Sequence, residues 1–227
     1  MSEYAGTDNL EVMAEAVKYN EFLAGQVASM ARPGDCILDF GAGIGTFAQR
    51  MAGAGHDVVC LEPDPAQAQR LRAAGLAVRE SLADIADDSL DYIYTLNVLE
   101  HIEDDQSVLA GFARTLKQGG RLLVYVPAFA LLYSSMDRKV GHIRRYRRGG
   151  LLSQVAAAGF VDVDARYVDS LGFFATLAYR ASGNSSGGIN MRMLKFYDRY
   201  LFPASRIADN VFGKVFGKNI LLTARKG

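Results

Sequence analysis

The chain has 227 residues, which is enough for one sizeable α/β domain but cramped for two. Its 25 basic and 25 acidic side chains balance, which excludes a global electrostatic attraction to nucleic acid or to an anionic membrane. Cys36 and Cys60 lack the spacing of a disulfide framework or a metal cluster. We expect a cytoplasmic protein, because the sequence shows neither a signal peptide nor an apolar run of about 18 residues.

Apolar side chains recur at helical spacing over residues 9–30, which predicts one or two amphipathic helices before the core. Strands and helices then alternate. The predicted strands are residues 36–40, 57–61, 76–79, 91–96, 120–126, 161–168 and 219–225, and the predicted helices are residues 44–54, 64–74, 104–117 and 149–158. This alternation predicts a mainly parallel sheet with helices on both faces.

Three glycines follow the first predicted strand at alternate positions, Gly41, Gly43 and Gly45, and Asp39 precedes them. A dinucleotide-binding turn has the spacing G-x-G-x-x-G, whereas this turn is G-x-G-x-G with Thr46 next. Glycine permits positive φ and lets a ligand approach the backbone closely. The pattern therefore predicts a turn that holds a polar cofactor.

A second acid, Glu62, ends the next predicted strand, seventeen residues after Gly45. A carboxylate at this point of a nucleotide-binding βαβ unit accepts hydrogen bonds from ribose hydroxyls. Asp64 is the better candidate for the N-cap of the following helix. Glu62 is therefore predicted to face the cofactor.

These motifs resemble the class I S-adenosylmethionine-dependent methyltransferases, in particular the small-molecule type 11/12-like subgroup, whose first motif reads D-x-G-x-G-x-G. Residues 81–85, 89–93, 97–102 and 119–127 match, in order, that family's adenine-side loop, fourth strand, post-strand motif and fifth strand. The resemblance covers roughly residues 30 to 169 and the last strand. It implies a Rossmann-like, seven-stranded, mostly parallel sheet with an antiparallel last strand. It also implies S-adenosylmethionine as cofactor, S-adenosylhomocysteine as product, and a hydroxyl or amine of a small molecule as methyl acceptor.

The resemblance also implies a set of cofactor-binding residues. They are Asp39, Gly41, Ala42, Gly43, Gly45, Thr46, Glu62, Pro63, Ser81, Leu82, Ala83, Asn97, Val98 and His101. Asp39 would lie close to the methionine part of the cofactor. Leu82 and Ala83 stand where the family often has an acid, so adenine would be recognised by backbone amides and apolar contact.

Residues 137–148, which follow the fifth predicted strand and are predicted to form a loop, carry six basic side chains and one acid. A planar guanidinium beside a titratable imidazole suits an anionic or phenolic substrate. The predicted substrate-binding residues are Tyr133, Asp137, His142, Arg145 and Tyr146. As base for a hydroxyl or protonated amine we favour His142, with His101 second. The H-x-R-R-Y pattern is similar to one in a subgroup associated with glycan or lipid-type substrates.

Residues 170–218 form an insertion that contains nine of the 23 aromatic residues, seven basic side chains and two acidic ones. Helices are predicted at residues 171–181 and 190–202, separated by a Ser/Gly-rich joint at 182–188. The insertion is interpreted as a lid over an apolar substrate pocket, a dimer element, or a helix on an anionic membrane surface. Each alternative implies an acceptor with an apolar part, and the protein is expected to be a monomer or a homodimer.

We therefore expect one domain over residues 1–227. Residues 1–30 form a helical cover, residues 31–169 and 219–227 form the core, and residues 170–218 form the insertion. The alternatives are an NAD-type oxidoreductase, which Thr46 disfavours, a nucleic-acid methyltransferase, and a non-catalytic cofactor-binding protein. The zero net charge disfavours a nucleic-acid partner. The acids after the fourth strand are interpreted as the start of a helix, so no metal site is expected.

Overall fold

The computed structural model describes residues 12–182, 187–188 and 190–227. The seven strands among these residues form one sheet. The strands are β1 (Cys36–Phe40), β2 (Asp57–Leu61), β3 (Ala77–Arg79), β4 (Leu90–Leu96), β5 (Leu116–Pro127), β6 (Phe160–Val168) and β7 (Asn219–Lys226). Their order is β3-β2-β1-β4-β5-β7-β6, and β7 runs antiparallel to both of its neighbours. The predicted Rossmann-like sheet is confirmed.

Helices cover both faces of this sheet. They are α1 (Val17–Met30), α2 (Thr46–Gly53), α3 (Pro65–Ala73), α4 (Asp105–Thr115), α5 (Ser135–Val140), α6 (Arg148–Ala157), α7 (Ser170–Ala181), α8 (Met191–Phe196) and α9 (Phe202–Phe212), with 3-10 turns at Leu82–Asp84, Leu99–His101 and Ala130–Leu132. One core layer contains Phe112 of α4, and the other contains Leu23 of α1. Both faces of β1 are buried, as parallel sheets require.

The strand order reverses between β1 and β4, both of which run parallel to their neighbours. In open α/β sheets, ligands bind outside the carboxyl ends of the strands at such a switch point. The glycine turn follows β1 at this edge. At the end of β2, Asp64 accepts a hydrogen bond from the Gln67 amide at 2.9 Å, which confirms it as the N-cap of α3.

Two of the boundaries that differ from the predicted ones have an evident local cause. The predicted helix 104–117 ends at Thr115, because Leu116 is buried and pairs with Leu90, so the extended conformation of β5 begins there. The segment predicted as a loop from residue 137 begins inside α5. Ser134 and Asp137 form a capping box at its start, a local signal that outweighs the high charge of the segment.

Two buried carboxylates join the insertion to the rest of the chain. Asp198 accepts hydrogen bonds from the backbone amides of Lys18 and Tyr19, each at 2.9 Å, and so caps the N-terminus of α1. Asp209 accepts the amides of Asp169 and Ser170 at the start of α7, at 3.0 and 2.9 Å. Asp198 thus ties the insertion to the N-terminal helical cover, and Asp209 ties it to Asp169, where the core strand β6 ends.

The second predicted insertion helix does not end near residue 202. It continues through a π-helical turn at Tyr197–Leu201 into α9, because Pro203 occupies the first turn of α9, where proline is tolerated. The predicted residues 9–11 of the N-terminal helix and most of the predicted joint, residues 183–186, lie outside the described part of the chain. Among the described helices, none combines the length and the apolar content needed to cross a bilayer.

Candidate functional site

A cavity of about 520 Å³ opens at the switch point, between the glycine turn and the segment after β5. Most of the sequence-predicted site residues line it. They are Asp39, Gly41, Ala42, Gly43, Thr46, Glu62, Pro63, Asn97, Val98, His101, Asp137, His142 and Arg145. The cavity thus brings the predicted cofactor residues and the predicted acceptor residues into one space.

At Gly41 the glycine turn leaves no room for a side chain. Its φ is +78°, and a Cβ there would lie 2.4 Å from a methyl carbon of Val98. Its amide donates to the Leu61 carbonyl at 2.9 Å, which ties the turn to β2. The turn therefore leaves a cradle of backbone that a larger residue would fill.

The carboxylate of Glu62 holds the glycine turn in place. One oxygen accepts the Gly43 amide at 2.7 Å, and the other accepts the Asp64 amide at 3.0 Å. Burial raises the pKa of Glu62, and the two amide hydrogen bonds oppose the rise. Glu62 lines the cavity and retains lone pairs, so it can also accept hydrogen bonds from a ribose.

We expect Glu62→Ala to weaken the binding of S-adenosylhomocysteine at least tenfold. The substitution removes a charged acceptor, a contribution of about 1.5 to 3 kcal/mol, and frees the Gly43 amide. Titration calorimetry measures the change, with Glu80→Ala as a control, since the Glu80 side chain is 68% exposed and pairs with Arg72. Unchanged affinity in folded Glu62→Ala would assign the ribose contact to another residue.

Asp39 lies under the glycine turn and is almost fully buried. Burial raises its pKa to about 7, and the charge of Glu62 adds to the rise. A positively charged group in the cavity would favour the ionised carboxylate. Together with the cradle at Gly41, this acid fits a cofactor that has a cationic methionine part.

The other side of the cavity is built around Asp137. This buried carboxylate accepts two hydrogen bonds from Arg145, at 2.8 and 3.0 Å, and the Ser134 amide at 2.8 Å. Its Oδ1 lies 2.7 Å from Nδ1 of His142. Burial raises its pKa, but hydrogen bonds from His142 and Arg145 outweigh that effect and hold the pKa well below the usual range. The ionised carboxylate orients the imidazole of His142.

Glu100 and His101 lie beside His142. The two imidazole rings meet edge to face with centroids 4.8 Å apart, and Nε2 of His142 is 3.6 Å from Oε1 of Glu100. Burial raises the pKa of Glu100 to about 8. Burial also lowers the pKa of His101 to about 4, and the neighbouring His142 adds to that effect. Glu100 was not among the residues predicted to have a chemical role.

Two predicted acceptor residues act behind the cavity wall. The hydroxyl of Tyr133 donates to the backbone carbonyl of His142 at 2.7 Å. The hydroxyl of Tyr146 points into the core, where it donates to Asp105 at 2.8 Å. Neither residue lines the cavity, so both position the segment that carries His142.

Four predicted cofactor residues also lie outside the cavity wall. Ser81 caps a 3-10 turn in a capping box with Asp84, and Leu82 and Ala83 belong to that turn. Gly45 has φ +81°, and a Cβ there would lie 2.6 Å from Leu71 of α3. The third glycine therefore serves the packing of α2 against α3.

Several residues of the cavity wall were not among the predicted site residues. Tyr19 comes from α1, and its position depends on the Asp198 cap. Met136 adds an apolar side chain from α5. Lys218, directly before β7, also lines the wall, and its partial burial lowers its pKa. The one available sequence signal was the position of Lys218 directly before the predicted last strand, which the structure places next to β5.

A family model described as a methyltransferase domain matches residues 13–165. The ubiquinone biosynthesis O-methyltransferase of Hahella chejuensis is 33% identical over 102 residues, which are 40% of this chain and 43% of that protein. A protein of Mycobacterium tuberculosis described as a probable S-adenosylmethionine-dependent methyltransferase is 28% identical over 134 residues, 56% of this chain and 49% of that protein. The chain thus spans about half the length of the curated relatives it matches.

Two solved structures share the fold. A S-adenosylmethionine-dependent methyltransferase of Archaeoglobus fulgidus has a TM-score of 0.63 at 14% identity, covering 91% of this chain and 94% of that one. A methyltransferase in complex with the Haloferax volcanii Trm112 activator has a TM-score of 0.66 at 14% identity, covering 100% and 98%. The family match over most of the chain, with this sheet order and glycine turn, shows that the chain belongs to the methyltransferase domain family, in its class I S-adenosylmethionine-dependent group, with S-adenosylmethionine as methyl donor.

Proposed function

We propose that the protein methylates a hydroxyl group of a small-molecule acceptor that has an apolar part. The observation that carries the proposal is the orientation of His142 by Asp137, at 2.7 Å, on the wall of the cavity that also contains the glycine turn. Many transfer enzymes activate a nucleophile with a base such as an imidazole, and a third group orients that base. The relatives named O-methyltransferases support a hydroxyl over an amine.

When bound, S-adenosylmethionine supplies the methyl group in an in-line displacement that leaves neutral S-adenosylhomocysteine and releases one proton from the acceptor hydroxyl. The protein must position the acceptor and exclude water. His142 activates the hydroxyl, and Asp137 keeps the imidazole in place. Ile102, Met136 and Val140 line the same side and accommodate the apolar part of the acceptor.

We expect His142→Ala to lower kcat about 100-fold and to leave the affinity for S-adenosylhomocysteine unchanged. General base or acid assistance contributes about 100- to 10,000-fold, and His142 lies away from the glycine turn. The assay follows transfer of a labelled methyl group to a panel of phenols and alcohols with alkyl chains. Arg138→Ala is the control, because Arg138 is an exposed basic residue of the same segment. Full turnover by His142→Ala would contradict the proposal.

The insertion presents a row of exposed apolar side chains, which we name the apolar stripe. Its members are 56% to 73% exposed and follow one another along α8, the π-helical turn, α9 and the turn after α9: Met193, Phe196, Tyr200, Ile207, Val211 and Val215. Other aromatic residues of the insertion pack inward, such as Phe173 against Phe129. The insertion therefore combines a packed inner face with an uncovered outer one.

The charges beside the apolar stripe favour an anionic membrane surface as its partner. Both acids of the insertion, Asp198 and Asp209, are buried and accept backbone hydrogen bonds. In the described part of the insertion, the exposed charged side chains are therefore all basic. Apolar burial together with cationic attraction binds such helices to anionic bilayers. A membrane surface would also supply an acceptor that has an apolar part.

We expect the protein to sediment with vesicles of phosphatidylglycerol, and the bound fraction to fall as salt rises. The double variant Ile207→Ser, Val211→Ser should partition at least about tenfold less, because each apolar side chain contributes about 1.5 kcal/mol or more when buried. Val161→Ser, at an exposed position of β6, is the control. Protein that stays in the supernatant at every salt concentration contradicts the membrane partner. A dimer lost in the double variant would instead assign the stripe to a second copy of the chain.

A further inference from the structure

Glu100, His101 and His142 converge on one point at the acceptor side of the cavity. Each offers one ligand atom, and these atoms lie within 4.8 Å of one another. The side chain of Glu100 is fully buried, and neither of its carboxylate oxygens has a hydrogen-bond partner among the described residues. A buried carboxylate without a partner is costly, so its position calls for a positively charged ligand or a proton.

The hydrogen bonds of the two imidazoles set their tautomers. His142 has Nδ1 at 2.7 Å from the ionised Asp137, which can only accept, so Nδ1 carries the proton. His101 has Nδ1 at 3.2 Å from the carbonyl oxygen of Gly141, which also can only accept. In the neutral rings the lone pair is therefore on Nε2. Metal-binding histidines are oriented in this way, by a carboxylate or a backbone carbonyl on the other ring nitrogen.

The charges around the cluster are compatible with a cation. Arg145 lies near Glu100, but Asp137 already binds its guanidinium through two hydrogen bonds. Asp137 in addition balances positive charge on the His142 side of the cluster. The three candidate ligands thus bring one carboxylate that has no hydrogen-bond partner among the described residues to a region in which Asp137 neutralises Arg145.

We propose that Glu100, His101 and His142 bind a divalent transition-metal ion, with zinc as the best match. Two imidazole nitrogens and one carboxylate oxygen are the protein ligands of many catalytic zinc sites, which keep the fourth position open. His101 and His142 line the cavity, so the open position faces the acceptor. The expectation that there is no metal site was based only on the acids that follow β4. His142 lies about 40 residues further along the chain, and only the fold brings it next to Glu100 and His101.

The proposal deepens the proposed function and rests on it only for the catalytic consequence. A metal ion held by these residues would lower the pKa of an acceptor hydroxyl, because a cation stabilises the oxyanion. The hydroxyl would lose its proton to solvent as it binds, before water is excluded, and the oxyanion would then attack the donor methyl group while the S–C bond breaks. With the ion bound, His142 would act on the hydroxyl as a metal ligand, and without the ion His142 would act as the base described above, so His142→Ala lowers kcat in either case.

The test uses the full chain, dialysed against a chelator and titrated with Zn²⁺. We expect one ion per chain by calorimetry and by elemental mass spectrometry. Imidazole ¹⁵N spectra give a second measurement in the unaltered protein, which has three histidines. The signals of His101 and His142 should shift on Zn²⁺ addition, whereas those of His56 should not.

A matched pair of variants locates the site. Glu100→Gln keeps the size of the side chain and removes its charge, and it should weaken Zn²⁺ binding at least tenfold. Glu103→Gln, on an exposed acid three residues away, should leave binding unchanged. Equal Zn²⁺ affinity in both variants would overturn the assignment, and so would ¹⁵N signals of His101 and His142 that do not respond to Zn²⁺.

Methyl transfer measured with and without chelator separates this inference from the proposed function. If the protein binds no Zn²⁺ and still methylates hydroxyls in the presence of chelator, the metal site is wrong and the proposed function stands, with a proton shared between Glu100 and His142. If one Zn²⁺ binds through these residues and no hydroxyl is methylated, the metal site stands and the proposed function fails.

Discussion

Gly41→Ala is expected to lower the affinity for S-adenosylhomocysteine about 100-fold, a change of about 2.7 kcal/mol. The φ of +78° disfavours any residue with a Cβ, and the added carbon would lie 2.4 Å from Val98. Strain of this kind costs about 1 to 3 kcal/mol and is relieved only if the turn moves. The turn would then no longer follow the cofactor. Calorimetry measures the affinity, and urea unfolding measures the stability.

Gly53→Ala is the matched control. Gly53 belongs to α2, where a Cβ would meet nothing within 4 Å, so alanine should stabilise the helix by about 0.5 to 1 kcal/mol. The double variant Gly41→Ala, Val98→Ala separates the two causes, because it removes the steric contact and keeps the φ strain. Cofactor affinity retained by Gly41→Ala would mean that the turn does not form the cofactor cradle.

Asp137→Ala is expected to destabilise the protein by about 3 to 5 kcal/mol, because it leaves the buried guanidinium of Arg145 without its counterion. In a protein of this size, that loss lowers the Tm by roughly 10 °C. The substitution also frees His142, so kcat should fall as well. Thermal unfolding followed by circular dichroism measures the first effect, and labelled methyl transfer measures the second.

The comparison for Asp137 is Asp87→Ala. Asp87 also pairs with an arginine, Arg114, but its side chain is 67% exposed, so its loss should cost less than about 1 kcal/mol. Similar stabilities of the two variants would show that the Arg145 pair contributes no more than a surface ion pair. The predicted difference arises from the burial of Asp137 and from its further hydrogen bonds with Ser134 and His142, since both substitutions remove an aspartate that pairs with an arginine.

The sheet and most helices could be predicted from the sequence because their signals are local. The buried runs of β1 and β2, the glycine turn and the Asp64 cap each lie within a few residues. The family match removes the oxidoreductase alternative that the glycine turn left open. The end of α4 and the start of α5 were missed because a single cross-strand pair and a capping box decide them. Charge patterns do not reveal either.

The site was predictable where the residues follow a strand end and obscure where they do not. Asp39, Glu62 and Asn97 stand at such ends, and they line the cavity. Tyr146 belongs to the same H-x-R-R-Y motif as His142, yet its side chain is buried and its hydroxyl donates to Asp105. Which of two neighbouring polar residues faces a cavity depends on packing against distant elements, and a single sequence does not contain that information.

The cap that Asp198 places on α1 joins residues 180 positions apart, and contacts of such long range form late in folding. During synthesis, α1 leaves the ribosome long before residue 198 exists. The helix that carries Tyr19 therefore lacks its cap until most of the chain has been synthesised. The cavity is complete only when the C-terminal part has arrived, so a prematurely ended chain lacks one wall and should not retain the cofactor.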